Sequence, residues 1–138
     1  MCSSDLLLRT RADQMARTHG MTRAQWMILV WLERSPGLSQ NELAAIVEVE
    51  PITVGRLVDR LEARGLLERR PDPDDRRAWR LHLMPAAQPM LKEIAKARAE
   101  LNAMLVADIP AKTQESTLEC LLQMKSNMSE GRENAKTA

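Results

Sequence analysis

Arg56, Arg60 and Arg64 stand four residues apart. That spacing stacks side chains along one face of a helix. Long, permanently charged donors in such a stripe suit an anionic polymer, because a guanidinium can bridge two acceptors on a guanine edge or hold a phosphate. A second set, Asp75, Arg76 and Arg77, follows Pro71-Asp72-Pro73-Asp74, a run that makes a turn rather than a continued strand. Arginine at a hairpin tip can reach a minor groove, where the potential is most negative. No catalytic arrangement accompanies these residues. There is no glycine-rich phosphate loop and no nucleophile elbow, and His19 and His82 lack Cys, Asp or Glu at metal spacing. The chain therefore reads as neither an enzyme nor a binder of metal or cofactor.

The elements that must position the arginines lie between Leu38 and Leu83. Ser39 and Glu42 form a capping box that opens a helix with Leu43, Ile46 and Val47 on its apolar face. Val49 and Glu50 are the expected turn. Pro51 suits the first position of the next helix, where a missing N–H costs nothing. Val54, Leu57, Val58 and Leu61 recur at helical spacing and face inward, and Gly65 stops the helix. Leu66 to Arg70 is the first strand expected and Pro71 to Asp74 the turn. The return strand has Trp79, Leu81 and Leu83 buried and Arg80 and His82 in water. Two helices with arginines on the second make a helix-turn-helix, in which the second helix enters the major groove.

Outside this stretch, Ser3 or Ser4 can cap a first helix that runs to about Thr18, ended by Gly20. Thr22 and Gln25 are a second capping box, and Arg23 to Arg34 is so densely apolar that burial on nearly all sides is expected. After the hairpin, Pro85 begins a long helical pattern. Its start is either near Gln88, with Pro89 in the first turn, or at Met84, with one hydrogen bond broken at Pro89. Leu91, Ile94, Leu101, Met104 and Leu105 trace its stripe, and Pro110 marks a break. A last helix is expected over about Thr113 to Met128, with Leu118, Leu121, Leu122 and Met124 apolar and Cys120 buried and inert among them. The tail from Ser129 to Ala138 reads as frayed.

The chain has 138 residues, 44% hydrophobic, with no Phe or Tyr, three Trp and nine Met. These bound it to a single domain with its own core. The formal charge is +1, and from Glu50 to Leu83 eight arginines face seven acids. A nucleic-acid reader this neutral must segregate its arginines in space. Cys2 and Cys120 form neither a disulfide framework nor a metal spacing. With no run of about 18 apolar residues and no signal-peptide pattern, the expectation is a cytoplasmic protein without membrane contact.

Two signatures together resemble the MarR family of transcriptional regulators. One is the helix run Thr53-Val54-Gly55-Arg56-Leu57-Val58-Asp59-Arg60-Leu61-Glu62-Ala63-Arg64-Gly65-Leu66. The other is Asp75-x-Arg77 followed by five residues and Leu83. Glu50 and Ala87-Gln88-Pro89 are most similar to the SlyA-type branch, whereas Met84 stands where the family usually has Thr. The resemblance implies a mainly α fold with a small β wing over residues 1–138: a winged helix-turn-helix at 22–83 and dimerisation helices at 1–20 and 85–130. It implies a homodimer acting on a pseudo-palindromic double-stranded DNA operator, most often as a repressor. Arg77 would enter the minor groove with its guanidinium fixed by Asp75, and Arg56 would read a base. Pro51, Ile52 and Thr53 would reach bases or backbone from the first turn. Gln40, Asn41, Arg60 and Arg76 would contact the backbone. The resemblance further implies a small aromatic or phenolic effector between the dimer helices and the wing domain, with Met15, His19, Trp26, Met27 and Trp31 as candidate liners. The competing reading is a winged-helix protein-interaction module that does not bind DNA, favoured by the near-neutral charge.

Overall fold

The computed structural model describes the backbone of residues 4–137 and the side chains of residues 6–129. Six helices and one hairpin follow in the order α1 (Ser4–Thr18), α2 (Arg23–Arg34), α3 (Gln40–Val47), α4 (Pro51–Ala63), β1 (Leu67–Pro71), β2 (Trp79–Leu83), α5 (Gln88–Leu105) and α6 (Ala111–Thr137). Ser3 and Cys2 lie outside the described residues. Contacts divide the chain into two compact units, 1–99 and 100–138.

In the first unit both capping boxes form. The Thr22 and Ser39 side chains accept from the Gln25 and Glu42 amides, and each partner side chain accepts in return from the cap's own N–H. This satisfies amide donors that a helix start would otherwise leave unpaired. The core gathers Ile28, Leu29 and Leu32 of α2, Leu43 and Val47 of α3, and Val54, Leu57, Val58 and Leu61 of α4. Leu66, Leu67 and Leu81 of the hairpin region and Leu91, Ile94 and Ala97 of α5 complete it. The helix α2 is less enclosed than its composition suggests. Met27, Val30 and Trp31 are only partly buried against that core, and the Arg34 guanidinium sits 5.8 Å from the Trp31 ring centroid.

The turn between α3 and α4 begins one residue before Val49. Glu48 takes a left-handed conformation at φ 55°, and the Val49 amide returns to the Ala44 carbonyl at 3.1 Å. At the other end of α4, Gly65 (φ 69°) makes a Schellman closure. Its amide bonds the Glu62 carbonyl, and the Leu66 amide bonds the Leu61 carbonyl. Leu66 is thereby spent on the helix cap, so β1 begins at Leu67 rather than Leu66 and ends at Pro71 rather than Arg70. Pro71, expected in the turn, pairs with Trp79. Proline is tolerated there because a two-stranded ribbon has an outer edge that needs no donor. The antiparallel register runs from Leu67 opposite Leu83 to Pro71 opposite Trp79, and a bridge from Ser39 to Arg80 joins the ribbon to the start of α3.

After the wing, Pro85–Ala87 form one 3-10 turn, and α5 starts at Gln88. Pro89 therefore falls in the first turn and breaks no helix bond, the first of the two starts the sequence left open.

In the second unit, Asp108 at φ 61° ends the helical run and Pro110 caps the next: its carbonyl accepts from Thr113 and Gln114. The helix α6 thus begins two residues earlier than expected and continues to Thr137 through the stretch expected to fray. Leu118, Leu121, Leu122 and Met124 are all more than half exposed. Cys120 is exposed as well. The expectation of a buried, inert thiol fails because the side chains around it on α6 have no cover.

Candidate nucleic-acid interface

The outer face of α4 is built by subtraction. Its apolar stripe is fixed in the core, which leaves Pro51, Ile52, Thr53, Arg56 and Arg60 exposed along the opposite side. Ile52 is 73% exposed, so it is not a packing residue. Glu50 precedes the helix without a side-chain cap bond. The first amides of α4 are consequently free to meet an external acceptor at the positive end of the helix dipole.

Gln40 occupies a different place from the one its sequence position suggests. It is half-buried, and its Nε2 donates to the Pro51 carbonyl at 3.1 Å. It lies so close to α4 that a Cβ on Gly55 would sit 2.9 Å from that nitrogen. Gln40 therefore clamps the two helices together, while Asn41 beside it is exposed.

At the wing tip, Arg76 and Arg77 are exposed. Among the described residues the Arg77 guanidinium forms no ion pair. The Asp75 carboxylate accepts the Arg77 backbone N–H at 2.9 Å, and the Asp75 carbonyl accepts from Ala78. Asp75 thus fixes the loop on which Arg77 stands and does not grip its guanidinium. An aspartate two residues ahead reaches the backbone donor of its own turn more easily than the end of a long side chain. Asp72 does the same one step earlier, accepting from the Asp74 amide at 2.8 Å.

Arg80 was expected in water. It is instead partly buried and cross-linked. Its Nε donates to Asp72 at 2.5 Å, and its Nη1 donates to Glu42 at 3.0 Å and to the Gly37 carbonyl at 3.3 Å. The Asp74 amide, and then Arg80, hold the Asp72 carboxyl below its ordinary range. The Ser39 amide and hydroxyl, then Arg80, lower Glu42 likewise. The bond to Asp72 in turn raises Arg80. This network ties the wing to α3. The hairpin register that sets Arg80 eight residues after Asp72 across the turn was its only trace in the sequence. His82, expected in water, is half-buried against Gly37.

The same sorting resolves the neutral charge of the segment. Arg69 is paired with Asp59 at 2.6 Å and with Glu62, Arg70 with Glu68 at 2.6 Å, and Arg80 with Asp72. Four of the seven acids are neutralised by strand arginines. Arg56, Arg60, Arg76 and Arg77, the exposed cations of α4 and the wing tip, form no ion pair among the described residues.

Of the candidate effector liners, Trp26, Met15, Met27 and Trp31 lie in or against the core. Trp26 is 8% exposed, within the core, with the His19 ring edge-on at 6.0 Å. Met15, Met27 and Trp31 are partly buried against the same core. Among the described residues no cluster of three His, Cys, Asp or Glu could hold a metal, and no helix is long and apolar enough to cross a membrane.

Comparison with known proteins bears on this arrangement. The MarR family profile matches residues 19–78, the stretch that contains α2 to α4 and the wing tip. A Thauera aromatica protein assigned as a transcriptional regulator of the hcr operon is 34% identical over 89 residues, 64% of this chain. The chain spans about half of that relative's length, 54%. The crystal structure of the transcriptional regulator PA3341 is 30% identical and superposes with a TM-score of 0.80 over 92% of this chain and 93% of that one. An S. aureus MepR variant bound to an oligodeoxyribonucleotide, 24% identical, shares the fold with a TM-score of 0.61 over 90% of this chain and 91% of its own. With the helix-turn-helix, the arginine-tipped wing and the similarity to PA3341 over nearly its whole length, the chain belongs to the MarR family of winged-helix transcriptional regulators.

Proposed function

We propose that the protein is a homodimeric, ligand-responsive repressor that reads a pseudo-palindromic double-stranded DNA operator, of the SlyA-type branch by Glu50 and Ala87-Gln88-Pro89. The observation that carries this reading is the sorting of charge. The acids of α4 and the strands are held by Arg69, Arg70 and Arg80, while Arg56, Arg60, Arg76 and Arg77 are free on the exposed face of α4 and the wing tip.

In this reading α4 enters the major groove, within the winged helix at 22–83. Arg56 takes a guanine edge, and Thr53 and Ile52 reach base edges or thymine methyls. Pro51, Asn41 and Arg60 lie along the backbone, and Gln40 acts from behind by holding the start of α4. Arg77 enters the minor groove from a tip that Asp75 stiffens, with Arg76 on phosphate. The helices at 1–20 and 85–130 supply the dimer. Leu6, Leu7 and Leu8 of α1 and Leu118, Leu121 and Leu122 of α6 expose large apolar side chains, more than a lone chain leaves in water. An aromatic or phenolic acid is the effector class. It acts on the α1–α2 region through Met15, His19, Trp26, Met27 or Trp31, and must favour one spacing of the recognition helices over another.

The deciding experiment is fluorescence anisotropy against the promoter region beside the protein's own gene, over a salt series, for the wild type and Arg56→Ala. A steep salt slope with tight wild-type binding, and loss of sequence preference in the variant, supports the reading. Binding no tighter than to random DNA, unchanged by the substitution, overturns it in favour of a protein-interaction module.

A further inference from the structure

The return strand of the wing departs from its expected pattern at Trp79. Expected on the buried face with Leu81 and Leu83, Trp79 is 51% exposed. Its direction is the expected one, and only the cover is missing. Side chains alternate along a strand, so Trp79 shares a face with Leu81, about 7 Å further along. Leu81 is fully buried in the core. Opposite these two stand Pro71 and Arg69 in the register of the ribbon, and directly opposed residues share a face. Arg69 binds Asp59 at 2.6 Å and also Glu62, both on α4. This face of the ribbon is therefore turned towards α4, and the core beneath it ends at Leu81. Trp79 and the exposed Pro71 overhang that edge on the side of the wing tip.

The overhang lies between the two sets of exposed arginines. Asp59 stands three residues from Arg56, and that spacing makes them neighbours on the helix surface. Arg77 stands two residues before Trp79. The acids on this flank of α4, Asp59 and Glu62, are both held by Arg69, so their repulsion towards an anion is largely cancelled. Single exposed hydrophobics are ordinary, but the others in this unit have a different setting. Leu6, Leu7 and Leu8 lie on α1 and Ile52 in the first turn of α4, and Trp79 is the large one on the wing among the described residues. An indole also carries a donor and no acceptor, and the Trp79 N–H has no hydrogen-bond partner among the described residues.

We propose that Trp79, with Pro71 opposite it, is a contact for the DNA sugar–phosphate strand that runs between the major groove taken by α4 and the minor groove entered by Arg77. The inference rests on the DNA-binding reading. A protein that engages adjacent grooves with a helix and a hairpin must straddle the backbone between them. The ribbon face between Asp59 and Arg77 is the surface that meets it. The indole N–H donates to a phosphate oxygen, and the rings of Trp79 and Pro71 lie against deoxyribose carbons. Such a contact sets register and carries no base preference. It suits a nearly neutral reader, because it adds affinity without adding a charge.

The test joins anisotropy titrations to acrylamide quenching of tryptophan fluorescence, for the full chain, Trp79→Phe and Trp79→Ala. Each is titrated with duplex from the promoter region and with random duplex at low salt. Trp79→Ala is expected to weaken binding of both duplexes about tenfold. Trp79→Phe, which keeps a ring and loses the donor, weakens it less. The salt slope stays the same in both variants, because no cation is removed. Either duplex shields the wild-type fluorescence from acrylamide, and the shielding is absent in Trp79→Phe, where only the buried Trp26 and partly buried Trp31 remain. Undiminished affinity in Trp79→Ala, or no shielding in a DNA-bound wild type, overturns the proposal. A slope that falls by roughly one in Trp79→Ala also overturns it, since Trp79 would then act by placing Arg77. Shielding that grows with protein concentration without DNA assigns the residue to a contact between copies of the chain instead. Equal binding of both duplexes with Trp79 shielded would sink the operator reader and leave this contact standing. Selective binding of the promoter duplex with Trp79 open to acrylamide would do the reverse, and binding of neither duplex sinks both.

Discussion

Arg80 Nε lies 2.5 Å from Asp72 Oδ2, while Nη1 of the same guanidinium reaches Glu42 on α3 at 3.0 Å. One side chain thereby fixes the wing to the helix-turn-helix. The Asp72 carboxyl is lowered below its ordinary value, first by the Asp74 amide and then by Arg80, and Glu42 is lowered in the same direction. A carboxylate with a depressed folded-state pKa adds stability that is present above its unfolded pKa of about 4 and disappears as pH falls through the folded value. The gap in Tm between wild type and Asp72→Asn is therefore expected to be full at neutral pH and to close in acid, below about pH 4. A gap that stays constant across that range would show that the charge of Asp72 is immaterial. Arg80→Gln should weaken operator binding without exposing a new apolar surface.

The wing tip separates affinity from stability. Arg77 is exposed and forms no ion pair among the described residues, so Arg77→Ala should leave stability within about 0.5 kcal/mol. It should reduce the salt slope of DNA binding by roughly one. Asp75→Ala removes the acceptor for the Arg77 amide and should weaken DNA binding although aspartate cannot itself attract a phosphate. Equal binding by wild type and Asp75→Ala, measured by anisotropy, would exclude the positioning role.

Gly55 and Gln40 should behave as a coupled pair. In Gly55→Ala the new methyl displaces the Gln40 carboxamide, 2.9 Å away, and breaks its bond to the Pro51 carbonyl. That loss, about 1 kcal/mol, roughly offsets the gain from replacing glycine in a helix, also about 1 kcal/mol. The single variant is expected to be near neutral. In a Gln40→Ala background only the gain survives, and Gly55→Ala should stabilise by about 1 kcal/mol. Urea denaturation of the four proteins closes the cycle, and strict additivity would refute the contact.

The apolar face of α6 provides the test of assembly. Leu121 and Leu122 are 58% and 55% exposed, so Leu121→Glu costs little in an isolated chain but places a charge in any interface built on this face. Sedimentation velocity should show a dimer for the wild type and a monomer for the variant. Cys120, one residue away and exposed in the single chain, should then react faster with a thiol reagent in the variant than in the wild type. Monomeric wild type at micromolar concentration would contradict the dimer.

Local grammar determined much of this molecule. Capping boxes at Thr22 and Ser39, Pro51 at a helix start, Gly65 at a helix stop and the apolar stripe of α4 all act through neighbours within about one helical turn. Their structural consequences could therefore be read from the sequence alone. The exposure of Arg56 followed, because a stripe fixed inward leaves the remaining residues of α4 outward.

Tertiary structure decided what depends on partners distant in the chain. Whether Arg80 faces water or binds Asp72 and Glu42, and whether Gln40 is a free donor or a clamp on Pro51, turns on the register of the hairpin and the approach of α3 to α4. Cys120 is the inverse case. Its apolar neighbours suggested burial, but burial requires a covering surface, and the α6 sequence does not specify one. Charge shows the same division. The sequence supplied a nearly neutral segment, and only folding paired its acids with Arg69, Arg70 and Arg80 and left Arg56, Arg60, Arg76 and Arg77 without an ion pair among the described residues. Ion pairs form by distance in space, which composition does not encode.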